Sequence, residues 1–162
     1  MTPIKAFVLF VQFVAKMFLF DLVDEPIRAT QSLPMRELFV FLPFGYLFTI
    51  LIETPVLILG MPKPVTFKQR FWCGVWLTAC TYPIVILVMP AIFLDQSRAL
   101  YLLVAETFAP IAECFLFWLA FRNRVALTTA RWFHAFAAIT IANLASFGLG
   151  EVLNAYGWFG LF

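Results

Sequence analysis

Long apolar segments alternate with short polar ones along this chain. Four apolar segments have the length of roughly 20 residues that an α-helix needs to cross a bilayer. They cover residues 38–60, 71–93, 101–121 and 132–151. This pattern predicts an all-α integral membrane protein whose four core transmembrane helices form two hairpins, 38–93 and 99–151.

The first 23 residues form a fifth apolar segment that is interrupted by polar side chains. Lys5 precedes it, and Gln12 and Lys16 lie one helical turn apart within it. A basic start before an apolar run is also typical of a signal peptide, but the polar residues and the lack of a small-residue cleavage site argue against one. We therefore expect residues 1–23 to form a helix that either spans the membrane or lies in its interface.

The polar segments predict the loops between these helices. Residues 24–37 are predicted to be an extracytoplasmic loop, and residues 152–162 an interfacial tail. The loops 61–70 and 122–131 are rich in Lys and Arg and carry no acidic residue, which predicts a cytoplasmic position. If residues 1–23 span, the N-terminus is cytoplasmic, in agreement with Lys5, and the C-terminus is predicted to be extracytoplasmic, in a bacterial inner (plasma) membrane.

The composition supports a membrane protein and excludes several functions. Hydrophobic residues make up 64% of the chain and charged residues 12%, and the mean hydropathy is +0.96. A net charge of +2 is too small to predict nucleic-acid binding. Cys73, Cys80 and Cys114 lie in apolar segments without a CxxC pair, and His134 is the single histidine. We predict no metal and no cofactor, although bound lipid is compatible with the apolar surface.

Three glutamates lie inside the apolar segments. Glu106 and Glu113 are seven residues apart, so they project from one helix face, and Glu53 lies in the first hairpin. A charged side chain at the centre of a bilayer costs about 3 kcal/mol on insertion scales, so we expect these carboxyls to point toward other helices. The neighbouring polar residues that could complete a hydrogen-bond or ion network are Thr81, Tyr82, Asn143 and Ser146.

These polar residues allow two interpretations. In the structural one, the glutamates pair with Asn, Thr or Tyr side chains and hold a helical bundle together. In the functional one, they line a path for protons or a cation, with helix breaks at Pro55, Pro83 and Pro110.

Small residues recur at helical spacing in the last apolar segment. Ala138, Ala142, Ser146 and Gly150 are four residues apart, a spacing that lets membrane helices approach closely. We expect this helix to pack tightly, with Asn143 donating a hydrogen bond to Glu106 or Glu113.

The two hairpins share features that suggest a parallel internal repeat. Each has a glutamate in its first helix, a basic loop and an Arg-aromatic-aromatic step at Arg70 and Arg131. Thr78, Thr81 and Tyr82 in the first then correspond to Asn143, Ser146 and Phe147 in the second. Alternatively, any two membrane hairpins with basic loops share such features.

Catalytic signatures are weak. Cys114 and His134 could form a thiol–imidazole pair, but there is no HExxH motif and no glycine-rich phosphate loop. An enzymatic activity is left open and is not favoured, and no catalytic residue is predicted.

The spacing of these groups resembles that of small bacterial inner-membrane proteins with four or five helices and no assigned activity. The resemblance covers residues 38–151 and rests on Glu53-Thr54-Pro55, Thr81-Tyr82-Pro83, Glu106 through Glu113, and Asn143-x-x-Ser146-Phe147-x-x-Gly150. It implies the topology and no activity. Where it implies an asparagine, this chain has Thr78.

Three functions are compatible with these observations. The leading one is a non-catalytic subunit or assembly partner of a larger membrane complex, contacting lipid and either other subunits or further copies of itself. The alternative is a small oligomeric transporter or proton- or cation-conducting protein that uses the intramembrane glutamates. The third is an intramembrane enzyme acting on a lipid or a quinone.

Overall fold

The computed structural model describes residues 35–93 and 96–156, and these residues form four long helices. Helix α1 is Met35–Gly60, α3 is Arg98–Phe121 and α4 is Thr129–Ala155. The second helix, Phe67–Ile92, consists of the α-helix Phe67–Pro83, a π-helical segment Ile84–Val88 and a short α-helical end Met89–Ile92, and we call it α2. All four are long and apolar enough to cross a membrane, which confirms the predicted all-helical architecture with four long apolar helices.

The four helices pack as a bundle in chain order. Each helix contacts the two next to it around the ring, so that α1 lies between α2 and α4, and α3 also lies between them. Short connections make consecutive helices antiparallel. The predicted N-terminal helix 1–23, most of the loop 24–37 and the end of the tail 152–162 lie outside the described residues.

The helices begin three or four residues earlier than the apolar pattern predicts. Helix α2 begins within the predicted basic loop, because Thr66 and Gln69 form a capping box in front of it. Helix α3 begins at Arg98 after Ser97, whose hydroxyl accepts a hydrogen bond from the Leu100 amide at 3.2 Å. A hydropathy pattern does not register these polar first turns.

The apolar core fills the half of the bundle that is closer to the two basic loops. Phe117, Leu57 and Ile139 are fully buried there. The Phe117 ring stacks on Phe121 with centroids 4.6 Å apart and meets Trp132 edge-on at 5.7 Å. The buried polar side chains lie in the next layer of the bundle, farther from the basic loops.

Arg70 fastens the end of α1 to the start of α2. Its Nη1 donates to the Ile58 carbonyl and its Nε to the Val65 carbonyl, both at 2.8 Å. Ile58 lies in the last turn of α1, where carbonyls lack helical partners. This basic residue therefore completes a helix end as well as contributing to the charge of the loop.

The α-helical pattern is interrupted at only one of the three predicted prolines, Pro83. Helix α1 continues through Pro55, and α3 continues through Pro110. At Pro83 the helix does not end but changes to the π-helical segment Ile84–Val88. Membrane helices accommodate proline because the helix can re-satisfy the freed carbonyl locally.

Two glycines allow close helix contacts. A Cβ at Gly74 of α2 would collide with Thr54 Oγ1 and lie 2.8 Å from the Thr54 Cα of α1. A Cβ at Gly60 would lie 3.1 Å from the Ala138 Cβ of α4. Helix α1 therefore approaches both of its neighbours closely where one side is reduced to a glycine.

Candidate functional site

Glu53 lies inside the bundle, with 2% of its surface exposed. Its Oε2 accepts a hydrogen bond from Thr78 Oγ1 of α2 at 2.7 Å, and its Oε1 accepts one from Ser146 Oγ of α4, also at 2.7 Å. This carboxyl on α1 thereby binds both neighbouring helices.

Glu113 on α3 is equally buried, with 2% exposed, and has the same kind of environment. Its Oε1 accepts a hydrogen bond from Thr81 Oγ1 of α2 at 2.8 Å, and its Oε2 accepts one from Asn143 Nδ2 of α4 at 2.7 Å. The structure thus gives Asn143 the partner Glu113 and not Glu106.

Together these six side chains form what we call the carboxyl network: Glu53, Thr78, Thr81, Glu113, Asn143 and Ser146. The two glutamates lie on opposite helices of the ring, and each binds α2 and α4. Truncating one partner of such a buried group leaves the other unpaired, which typically costs 1–3 kcal/mol or more. The carboxyl network is therefore a hydrogen-bonded connection between all four helices.

The hydroxyl groups of the carboxyl network each reach two acceptors. Besides the glutamates, Thr78 Oγ1 lies 2.8 Å from the Gly74 carbonyl, Ser146 Oγ lies 2.9 Å from the Asn143 carbonyl, and Thr81 Oγ1 lies 3.2 Å from the Leu77 carbonyl. A hydroxyl has one proton and can also accept a hydrogen bond. Each hydroxyl can therefore donate to its carboxyl or accept from it.

Asn143 differs from the hydroxyls because its amide nitrogen can only donate. Nδ2 also lies 3.1 Å from the Ile139 carbonyl, so both of its protons have acceptors. This carbonyl fixes the orientation of the amide, since a flipped Asn143 would point its oxygen at two acceptors. Among the described residues, no ion pair involves Glu53 or Glu113.

Two predicted network residues lie outside this cluster. Glu106 is partly buried and forms no hydrogen bond with any described residue. Tyr82 packs on Tyr46, with ring centroids 6.1 Å apart, and bonds to neither glutamate in the described part of the chain. Tyr46 instead joins α1 to α2 through its hydroxyl, which donates to the Val75 carbonyl at 2.9 Å.

The predicted close-packing residues divide in the same way. Ala138, Ala142 and Ser146 are buried on α4. Gly150 is only partly buried, and no atom of the described residues lies within 4 Å of the position that a Cβ would take there. Within the described ranges, Gly150 therefore does not share the close packing predicted for it.

The cysteines and the histidine form no reactive pair in the described structure. Cys114 contacts the Phe136 carbonyl through Sγ at 3.8 Å, while His134 is exposed on α4. Cys73 is buried and Cys80 is exposed, and both are free thiols. In the described ranges no three His, Cys, Asp or Glu side chains are grouped so that they could hold a metal ion.

Sequence reasoning missed two members of the polar layer. Thr78 was placed in the repeat motif but not among the network residues, although it lies one helical turn before Thr81 on the same face of α2. Thr54, buried against Gly74, has the one buried side-chain oxygen without a partner among the described residues. The sequence signal that could have indicated this contact is Gly74, which lies at a similar depth in the neighbouring helix.

A groove of about 420 Å³ lies between α3 and α4, on the outside of the bundle. Glu106 and Cys114 of α3 line it together with Phe136 and Thr140 of α4. No residue of the carboxyl network lines it. The structure therefore separates the three predicted glutamates into two sites, with Glu53 and Glu113 in one and Glu106 in the other.

Comparison with known proteins assigns this chain to no family. No family model, curated protein or solved structure matches the chain. The resemblance to small inner-membrane proteins of four or five helices stays a prediction. The carboxyl network and the groove are the features from which a function can be inferred.

Proposed function

We propose that this chain is a multi-pass membrane protein that acts as a non-catalytic subunit or assembly partner of a larger membrane complex, and that the carboxyl network holds its bundle together. The observation that carries the proposal is that both oxygens of Glu53 and of Glu113 are bonded within the chain. All six network residues are at most 9% exposed. Such a closed site leaves no room for a substrate.

The outer surface supports a role in assembly. In each span, 22% of the most apolar 18-residue window is buried inside the described bundle, so the other residues are partly or fully exposed at its surface. Large apolar side chains such as Leu51, Leu59 and Phe133 are more than half exposed. Lipid covers such surfaces in a lone bundle, and partner helices with small or complementary side chains can replace it.

The proposal includes a parallel duplication of the hairpins 38–93 and 99–151. Buried residues of α1, and Met61 directly after it, match buried residues of α3 at a shift of 60 positions: Gly45 and Ala105, Glu53 and Glu113, Leu57 and Phe117, Met61 and Phe121. Those of α2 match those of α4 at a shift of 65: Cys73 and Ala138, Gly74 and Ile139, Leu77 and Ala142, Thr78 and Asn143, Thr81 and Ser146. The hydrogen bonds follow the same correspondence, since exchanging the hairpins exchanges the bonds of Glu53 with those of Glu113.

We further propose that the two basic loops face the cytoplasm. Lys63, Lys68, Arg124 and Arg131 are exposed at the same end of the bundle. Arg70 adds a third positive charge to the first loop, and its guanidinium donates to carbonyls at the end of α1 and in that loop. Cysteine accessibility from either side of sealed vesicles tests this orientation.

Mild-detergent purification followed by native mass spectrometry tests the assembly role. We expect the full chain to be recovered with other membrane subunits or as an oligomer. Glu53→Gln and Glu113→Gln should lower the yield of that complex. Glu106→Gln makes the same change of charge outside the carboxyl network and should leave the yield unchanged. Recovery of a lone monomer in every mild detergent contradicts the proposal.

Transport of protons or a cation is a second candidate function. It is favoured because each hydroxyl of the carboxyl network lies within hydrogen-bond distance of two acceptors. A protonated Glu53 could donate to Thr78 or Ser146, whose own proton would then go to the Gly74 or Asn143 carbonyl. A protonated Glu113 could do so only through Oε1 and Thr81, because Asn143 Nδ2 cannot accept. Either glutamate could thus gain or lose a proton while the heavy atoms stay in place.

Proton flux into proteoliposomes separates the two candidates. If the second is right, Glu113→Gln and Thr81→Val should abolish flux, while Thr81→Ser, which keeps the hydroxyl, should retain it. The assembly role predicts no flux in the parent protein and reduced complex yield for the same variants. Circular dichroism of each variant shows whether the bundle is still folded.

A further inference from the structure

The groove between α3 and α4 lies outside the carboxyl network. Its volume of about 420 Å³ lies within the range that small-molecule sites usually have. Its polar lining comes from Glu106, Thr107, Cys114 and Thr140, and its apolar lining includes Pro110 and Phe136. The groove therefore combines an apolar wall with a few polar atoms, as ligand sites commonly do.

The threonines of the groove present lone pairs and not protons. Thr107 Oγ1 donates to the Leu103 carbonyl at 2.7 Å, and Thr140 Oγ1 donates to the Phe136 carbonyl at 3.0 Å. Each hydroxyl has one proton, which these helical carbonyls occupy. A ligand in the groove thus meets two hydroxyl oxygens as acceptors.

Glu106 adds further acceptors and, when ionised, a negative charge. Its carboxyl has no hydrogen-bond partner among the described residues. Pro110, four residues later, has no N–H to donate to the Glu106 carbonyl. Glu106 also interacts electrostatically with the acidic side chains of Glu151 on α4 and Glu53 on α1. Ligands that offer donors and a positive charge fit this lining.

We propose that the groove binds a protonated alkyl amine, with its N–H directed at the Glu106 carboxyl and its apolar body along Phe136 and Pro110. An N–H on a cation forms a charge-assisted hydrogen bond to a carboxylate, and the face of an aromatic ring attracts a cation. Glu106 lies eight residues after Arg98, roughly 12 Å along α3 from its start, so the site is within the apolar layer. A small inorganic cation would have to lose its water there, whereas an alkyl amine brings its own apolar surface.

Two sources supply this chemistry: the amine headgroup of a lipid, and a free hydrophobic amine. Cys114 lines the groove and gives a direct readout of occupancy, while the exposed Cys80 on α2 serves as an internal control. The experiment uses the full chain in phosphatidylcholine nanodiscs, with N-ethylmaleimide labelling of each cysteine followed by mass spectrometry.

Dimethyloctylammonium is the probe, and octanol is its neutral counterpart. We expect the ammonium ion to slow labelling of Cys114 several-fold and to leave Cys80 unchanged. Glu106→Gln should raise the concentration needed for this protection by about tenfold, the loss expected for one charge-assisted hydrogen bond. Glu106→Asp should retain most of the protection, because the negative charge remains.

Matched variants keep the test independent of folding. Thr140→Val removes one acceptor of the groove and should weaken protection. Thr49→Val removes a hydroxyl that likewise donates to its own helix, to the Gly45 carbonyl at 2.9 Å, but lies outside the groove, and should not. Equal protection by octanol, or protection that is unchanged in Glu106→Gln, overturns the proposal.

Nanodiscs containing phosphatidylethanolamine distinguish the two sources. If the lipid amine occupies the groove, Cys114 is already protected in these discs, and Glu106→Gln removes the protection. If labelling of Cys114 is equally fast in both lipids and falls only with the added probe, the ligand is a free amine. If neither the lipid nor the probe protects Cys114, the groove does not bind this class of ligand.

Discussion

Replacing Gly74 by alanine tests whether the contact between α1 and α2 supports the carboxyl network. The new Cβ would collide with Thr54 Oγ1 and lie 2.8 Å from the Thr54 Cα, whereas ordinary contacts begin at 3.4 Å. Because the Thr54 backbone cannot rotate away, the helices must separate by about 0.6 Å. The Glu53 carboxyl lies next to Thr54, so its 2.7 Å bond to Thr78 should lengthen as well.

The magnitude follows from two opposing effects. Overpacking a filled core typically costs 1–3 kcal/mol. An alanine in a helix is favoured over glycine by up to about 1 kcal/mol. A lengthened hydrogen bond between Thr78 and Glu53 adds a loss of about 0.5 kcal/mol. We therefore expect Gly74→Ala to lower the free energy of unfolding by about 1–2 kcal/mol.

The matched control is Gly148→Ala on α4, where no described atom lies within 4 Å of the new Cβ. This substitution should leave the free energy of unfolding unchanged or raise it slightly. The assay is unfolding in mixed micelles, monitored by circular dichroism as the fraction of sodium dodecyl sulfate increases. If Gly74→Ala is as stable as Gly148→Ala, the contact does not restrict the distance between the helices, and the reasoning fails.

Three further predictions concern the polar contacts. Thr78→Val should lower the free energy of unfolding by about 1 kcal/mol in the same micelle assay, whereas Thr78→Ser, which keeps the hydroxyl, should stay near the parent. Equal losses in both variants would show that the hydrogen bond of the Thr78 hydroxyl does not stabilise the bundle. Asn143→Asp should destabilise by about 3 kcal/mol, because it sets a second carboxyl against Glu113; adding Glu113→Gln should restore much of the loss, which a double-mutant cycle measures. Arg70→Gln should cost about 1–2 kcal/mol in thermal unfolding, since the bonds to the Ile58 carbonyl at the end of α1 and to the Val65 carbonyl of the loop are both lost, whereas Arg131→Gln at an exposed position should be neutral.

Part of the candidate site could be predicted from the free-energy cost of placing a carboxyl group in an apolar environment. A carboxyl in an apolar segment must find partners inside the protein. Glu53 and Glu113 are 2% exposed and do so. The same reasoning grouped Glu106 with them, yet Glu106 lines a groove, since a position seven residues earlier on α3 lies about two turns away in depth. Depth along one helix can be read from the residue number, but the distance to the next helix cannot.

For the described residues, the amino-acid sequence by itself determined the all-helical class, the four long apolar helices and the approximate ends of each. Those properties depend on hydrophobicity and on local hydrogen bonds, which a short window of residues carries. The tertiary structure decided that Asn143 binds Glu113, that Thr78 belongs to the carboxyl network, and that Gly150 meets no other helix among the described residues. These outcomes depend on how far each helix is rotated and shifted against the others, and packing between distant segments sets both quantities.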